Sequence, residues 1–237
     1  MVRKNEVTME LHEVLVQLEE AGDASTRKIY LNNGAKEPLF GVKMGDVRKL
    51  AKKIKTDQCL ADELYDTGIL DAMMLAGMIA DSGKMSVDQL GRWVEKAYCA
   101  MVSERCVAPL AAQNPQRFEI AANWIESPHE QTACAGFTVY GMLYSHIPDD
   151  RLDLDQVKSV VDTIERRIQS EPTYLQNAMN NCLIMIGIYV LPLTSYCLEV
   201  SRRIGYVKPT VKINSCNIQS ATDYIVRYAP RTKVKSL

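Results

Sequence analysis

The chain has 237 residues, 47% hydrophobic and 24% charged, with a formal net charge of −1, values that suit one large globular domain or two small ones. Its longest apolar run, residues 182–193, is too short to cross a bilayer, and residues 1–24 are charged and amphipathic with no apolar leader segment. Seven cysteines without a CxxC pair, and His12, His129 and His146 without ligand-like spacing, argue against a disulfide framework and a zinc site; the expectation is a cytoplasmic protein with reduced, buried thiols, no metal and no cofactor.

The apolar residues repeat with helical period almost throughout. Leu11, Val14, Leu15 and Leu18 share one face of a first helix that ends near Gly22. Ser25 is placed to cap a short helix running to Leu31, closed by Asn32, Asn33 and Gly34. Residues 38–55, PLFGVKMGDVRKLAKKIK, form a loop with two glycines and then a two-faced helix. Val47, Leu50, Ala51 and Ile54 make its buried stripe, and Arg48, Lys49, Lys52, Lys53 and Lys55 its outer surface. Residues 58–67 read as a short helix stopped at Gly68, and residues 69–80 as an inner helix, apolar almost all round. Ser86 caps a helix whose inward residues are Val87, Leu90 and Val94.

Ser103 opens a segment that Pro109 should kink or split, because proline lacks an N–H and its ring meets the carbonyl one turn back. Pro115 and Pro128 sit at first-turn positions of helices reaching Ile125 and Ser145. Residues 153–169, 172–190 and 194–204 are the next helices, the last closed by Gly205. Residues 206–213, YVKPTVKI, are strand-like, and residues 217–228 read as a last helix. Roughly a dozen helices with short loops, apolar ones alternating with amphipathic ones, predict an all-α superhelix of HEAT/armadillo-like helical pairs with at most one small β element near 206–213. A globular bundle is the alternative. The expected domain organisation is one domain over residues 1–237, with residues 206–237 as a basic C-terminal extension.

The small net charge conceals two basic blocks. Residues 27–55 carry nine Lys/Arg against Glu37 and Asp46, and residues 202–237 carry eight against Asp223, each a local +7. Residues 56–201 between them carry −11. An anionic partner would therefore meet strongly positive patches on a chain of unremarkable pI.

The order RKIYLNNG, LFGVKMGDVRKLAKKI, several helical pairs and then PTYLQNAMNNCLIMIGIYVLP resembles the AlkD-like DNA alkylation repair proteins, over about residues 9–205. The Phe40-Gly41-Val42 turn with its basic helix is the most specific part. The resemblance implies a HEAT-like superhelix with a concave basic surface for the DNA backbone. It also implies, for the catalytic members, an aspartate that stabilises an oxocarbenium ion and tryptophans that contact the sugar and the cationic base. Carried over on Pro109, the aspartate position falls on Arg105 and its neighbouring tryptophan on Met101. The second tryptophan falls on Asn181 and a phosphate-contacting arginine on Thr132. A cation in the carboxylate's place disfavours a positive transition state. A shift of one residue brings in Glu104 as a weak catalytic candidate, whose bland reading is a surface glutamate. Trp93 and Trp124 lie among apolar residues and are expected in the core.

Asn177, Asn180 and Asn181 share one face of an apolar helix and, with Arg105, are candidates for a cleft wall; a buried amide network between helices explains them equally well. The basic end, with Lys208, Lys212, Arg227, Arg231, Lys233 and Lys235, either reaches a DNA groove or junction or is a solvated terminus. The expectation is a DNA-binding protein that holds branched or distorted DNA without base excision. Its phosphate contacts would be Lys43, Arg48, Lys49, Lys52, Lys53 and the C-terminal cations. The partner is duplex, damaged or branched DNA, bound by a monomer without membrane association, in the cytoplasm and on the nucleoid when DNA is bound. The alternatives are an alkylpurine DNA glycosylase and a protein-binding HEAT scaffold.

Overall fold

The computed structural model describes residues 9–209 and 218–231, and their regular elements are all helical. A single antiparallel bridge between Gly22 and Val42 is the nearest approach to a sheet among them. Residues 206–209 form no strand, and residues 210–213 of the strand-like stretch lie outside the described residues. Internal contacts divide the chain into two compact units, Met1–Leu110 and Ala111–Leu237.

The first unit contains α1 (Leu11–Glu20), α2 (Ala24–Asn32), α3 (Met44–Ile54), α4 (Gln58–Asp66), α5 (Leu70–Ile79), α6 (Val87–Lys96) and α7 (Ala100–Val102), followed by a π turn over Ser103–Val107 and then α8 (Ala108–Ala111) at its boundary. α5 is its centre: Leu70, Ala72, Met73, Met74, Leu75, Ala76 and Ile79 are all buried, and α3, α4 and the π turn pack on it. Gly77 lets the π turn approach closely, since a Cβ there would lie 2.6 Å from the Cys106 thiol, which donates to the Met73 carbonyl at 3.1 Å. Tyr65 and Trp93 stack with ring centroids 3.9 Å apart, which places Trp93 in the core as its apolar surroundings predict.

One local expectation is corrected and a second is narrowed. The cap of α2 is Asp23 rather than Ser25, with the Asp23 carboxylate accepting from the Thr26 N–H at 2.8 Å. A carboxylate is the stronger acceptor, and the Ser25 hydroxyl is itself turned onto it at 2.5 Å. Pro109 does not split its helix. The turn before it widens instead, and the Ala108 N–H reaches back to the Ser103 carbonyl, a π-type i to i+5 bond. The wider turn makes room for a proline ring that would otherwise meet the Arg105 carbonyl.

The second unit contains α9 (Arg117–Ile125), α10 (Glu130–His146), α11 (Leu154–Arg167), α12 (Thr173–Tyr189), α13 (Thr194–Ile204) and α14 (Ala221–Tyr228). Pro115 precedes α9 by two residues instead of sitting in its first turn, and α14 starts at Ala221 under a Ser220 cap. The buried helices α10 and α12 pack against each other, α9 covers α10, and α13 and α14 cover α12. Glycines set two of these spacings. A Cβ on Gly136 would lie 2.7 Å from the Ile125 backbone nitrogen, and one on Gly187 would lie 2.5 Å from the Ile225 side chain. Among the described residues no single helix is long and apolar enough to cross a membrane.

Candidate nucleic-acid interface

α3 follows its predicted two faces. Val47 is buried, Leu50, Ala51 and Ile54 are half-buried, and Lys43, Arg48, Lys49, Lys52, Lys53 and Lys55 are exposed. Lys49 is partly spoken for, since its ammonium lies 2.7 Å from the Asp46 carboxylate. Such a solvent-exposed pair is screened by water and salt and yields readily to a phosphate. Arg48, Lys52 and Lys53 make no ion pair with any described residue.

The loop that leads into α3 is held from three sides. Asp71 of α5, 2% exposed, accepts N–H bonds from Phe40 at 2.6 Å, Gly41 at 3.2 Å and Val42 at 2.7 Å. The Tyr30 hydroxyl of α2 donates to the Val42 carbonyl at 2.8 Å, and the Asp23 N–H donates to the Gly41 carbonyl at 3.2 Å. Gly41 has φ +83, and a Cβ there would lie 2.6 Å from the Arg27 backbone nitrogen, so only glycine fits. The first basic residue, Lys43, is thus delivered from a fixed base. Asp71 was missed in the sequence; the signal was an acid inside an otherwise apolar helix, which needs a partner.

The π turn carries Glu104 and Arg105 as successive residues. Arg105 is exposed and Glu104 half-buried, and they form neither a hydrogen bond nor an ion pair with each other or with any other described residue. Burial pushes the Glu104 carboxyl up to about 7, with the Arg105 charge pulling the other way. Met101, at the neighbouring tryptophan's place, is buried.

In the second unit the asparagine face divides. Asn180 is buried, and its amide donates to the Gln219 carbonyl at 3.0 Å. Its place on the cleft wall is therefore corrected: a buried amide at this depth serves the backbone that covers it. One turn earlier Gln176, fully buried, donates to the Lys208 carbonyl at 3.2 Å. Gln176 was also overlooked, although its i, i+4 spacing from Asn180 is legible. Asn177 is half-buried and Asn181 exposed, and both are without partners among the described residues. Thr132 is buried with an unpartnered hydroxyl, and Trp124 is buried in the core. Lys208 is exposed, as is Arg227, whose guanidinium lies 5.4 Å from the Tyr228 ring centroid. Arg231 ends a short 3₁₀ turn, while Lys212, Lys233 and Lys235 lie outside the described residues. Among the described residues no group of His, Cys, Asp and Glu is arranged to hold a metal ion.

Comparison with known proteins agrees with this architecture. The family model described as DNA alkylation repair enzyme matches residues 13–230. An uncharacterised protein of Listeria innocua is 25% identical over 215 residues, 88% of this chain and 92% of its own length. An uncharacterised protein of Listeria monocytogenes is 24% identical over 223 residues, 92% of this chain and 96% of its own length. A solved structure shares 33% identity with a TM-score of 0.89, covering 95% of this chain and 96% of its own. That structure is described as a new family of proteins related to the HEAT-like repeat DNA glycosylases with affinity for branched DNA structures. The fold is accordingly the all-α, HEAT-like repeat fold, and the globular-bundle alternative falls away.

Proposed function

Because the chain belongs to the DNA alkylation repair enzyme family, we propose that it binds branched or distorted DNA through its phosphates and excises no base. The observation that carries the reading is α3: Arg48, Lys52 and Lys53 stand exposed and unpaired on a helix whose entry loop is fixed by Asp71. Cations on a rigid helix neutralise phosphates at the cost of side-chain ordering only, with no backbone to order, and such contacts position a duplex without reading its sequence. The positions at which the catalytic members would carry their carboxylate and tryptophans hold Arg105, Met101 and Asn181, so the positive charge of an oxocarbenium ion would meet a cation. The branched-DNA affinity described for the structural neighbour supports the choice of partner.

The test compares a four-way junction, plain duplex and alkylated duplex at two salt concentrations, with base release measured in the same samples. With about five phosphates engaged, log affinity falls against log salt with a slope on the order of −4 to −5. Replacing Arg48, Lys52 and Lys53 together by alanine makes that slope shallower by about 0.9 for each phosphate no longer neutralised. Salt-independent binding, or none, overturns the reading. A second reading, an alkylpurine glycosylase, is favoured by one observation, the partnerless, half-buried Glu104 in the π turn. Base release that Glu104→Gln abolishes would establish it.

A further inference from the structure

Tyr206 is 67% exposed, more than any other large apolar side chain among the described residues. The other tyrosines are buried or half-buried, except Tyr228, which is exposed to only 36%. Several of them are visibly engaged: Tyr30, Tyr65 and Tyr196 donate to oxygens, and Tyr140 and Tyr144 stack on each other. The Tyr206 side chain makes no hydrogen bond and no ring contact with any described residue.

The backbone that carries this open ring is firmly held. Gly205, with φ +64, closes α13 and turns the chain. The side-chain amide of Gln169, just past α11, donates to the Ile204 carbonyl at 3.0 Å and to the Tyr206 carbonyl at 3.1 Å. The amide of Gln176 in α12 donates to the Lys208 carbonyl at 3.2 Å. Val207, between the ring and Lys208, is 4% exposed. Three anchored carbonyls and a buried valine thus fix residues 204–208 on the second unit, while the ring in their midst stays in water. A ring so placed forgoes the stabilisation its burial would bring. It offers instead a large flat surface on a fixed mount, with only two side-chain torsions to order on binding.

The charge around the ring selects what it meets. Residues 200–209 contain Arg202, Arg203 and Lys208 and no acid. Arg203 is committed to Glu165, with its two nitrogens 2.6 and 3.0 Å from the carboxylate oxygens. Arg202 and Lys208 are exposed and make no ion pair with any described residue. An open aromatic face with uncommitted cations before and after it in the chain suits a nucleotide, which offers a base face and a phosphate together.

We propose that Tyr206 stacks on a base left uncovered at the branch point of DNA, and that this contact supplies part of a preference for branched DNA over plain duplex. The proposal rests on the DNA-binding reading above and adds to it a contact that α3 does not make. Phosphates are available along any duplex, so cations alone do not tell a branch from a continuous helix. A base face is different, because inside a duplex its neighbours cover it and only an interruption of the stack exposes it. Every base has such a face, so the contact carries no sequence preference.

The test measures the affinity of the full chain, at fixed ionic strength, for a three-way junction with unpaired thymines at its branch point and for a plain duplex of equal length. Tyr206→Ala weakens junction binding about tenfold and leaves duplex binding unchanged. Tyr206→Phe keeps the junction affinity, because stacking needs the ring and not the hydroxyl. A fluorescent adenine analogue, 2-aminopurine, placed unpaired at the branch point reports stacking directly. Its emission is quenched by the unmodified chain and by Tyr206→Phe, and not by Tyr206→Ala at saturating protein. The position is exposed, so the variants melt with the unmodified chain. Junction affinity unchanged in Tyr206→Ala, an equal loss on junction and duplex, or a loss in Tyr206→Phe as large as in Tyr206→Ala overturns the inference and leaves phosphate binding by α3 standing. Absence of salt-dependent DNA binding by the unmodified chain overturns both.

Discussion

Asp71→Asn is the sharpest probe of how the basic helix is held. The carboxylate is 2% exposed, with Oδ2 accepting from Phe40 and Gly41 and Oδ1 accepting from Val42. Asparagine keeps the shape but not the acceptors. Its oxygen can face the Phe40 and Gly41 pair, which turns its NH2 against the Val42 N–H. Each retained bond drops from a charge-assisted to a neutral one, a loss of about 1 kcal/mol, and the orphaned Val42 N–H costs a further 1–3 kcal/mol or so. The amide is cheaper to bury than the carboxylate, which returns part of this. A net loss of about 2–4 kcal/mol remains, a large share of the roughly 5–15 kcal/mol that holds a domain folded. Urea unfolding followed by circular dichroism measures it as a fall in midpoint at unchanged m-value. A loss below about 1 kcal/mol would refute the reasoning, because it would mean that the loop holds its shape without these bonds.

Three further outcomes follow from the same structure. Gly136→Ala forces a Cβ to within 2.7 Å of the Ile125 nitrogen and destabilises by about 1–3 kcal/mol or more, whereas Gly91→Ala, in helix α6 with nothing within 4 Å, stabilises by about 0.5–1 kcal/mol; denaturation of the two variants side by side reads the contrast. Glu104 titrates at about 7 when folded against an ordinary 4.5, so its contribution to stability is full below 4.5 and is lost as pH rises through 7. Glu104→Gln is therefore more stable than the unmodified chain by about 1–2 kcal/mol at pH 8, after discounting for partial exposure, and shows no gain at pH 4; unfolding at the two pH values tests the sign. Among the six described cysteines Cys59 alone is exposed, and burial pushes the Cys106 and Cys197 thiols up to about 12, so thiol labelling with peptide mapping modifies Cys59 in the native protein and the other five only after unfolding.

Local pattern was enough for the helices. The 3.6-residue recurrence of Val47, Leu50, Ala51 and Ile54, the Ser86 cap and the closing Gly205 all act within a turn or two of themselves, so they are legible wherever the chain folds. The basic face of α3 was legible for the same reason, since exposure on one side follows from burial on the other. What no local pattern contains is the partner of a buried polar group. Asp71 meets Phe40, Gly41 and Val42 across about thirty residues, and Asn180 meets Gln219 across thirty-nine. Such bonds exist only once the helices between have packed. Pro109 announced a disturbance in its helix, but not that the chain would widen there or that Cys106 of the widened turn would settle against Gly77 of α5. The wider turn accommodates the proline ring and at the same time seats Cys106 against α5, a contact that only the packed structure shows.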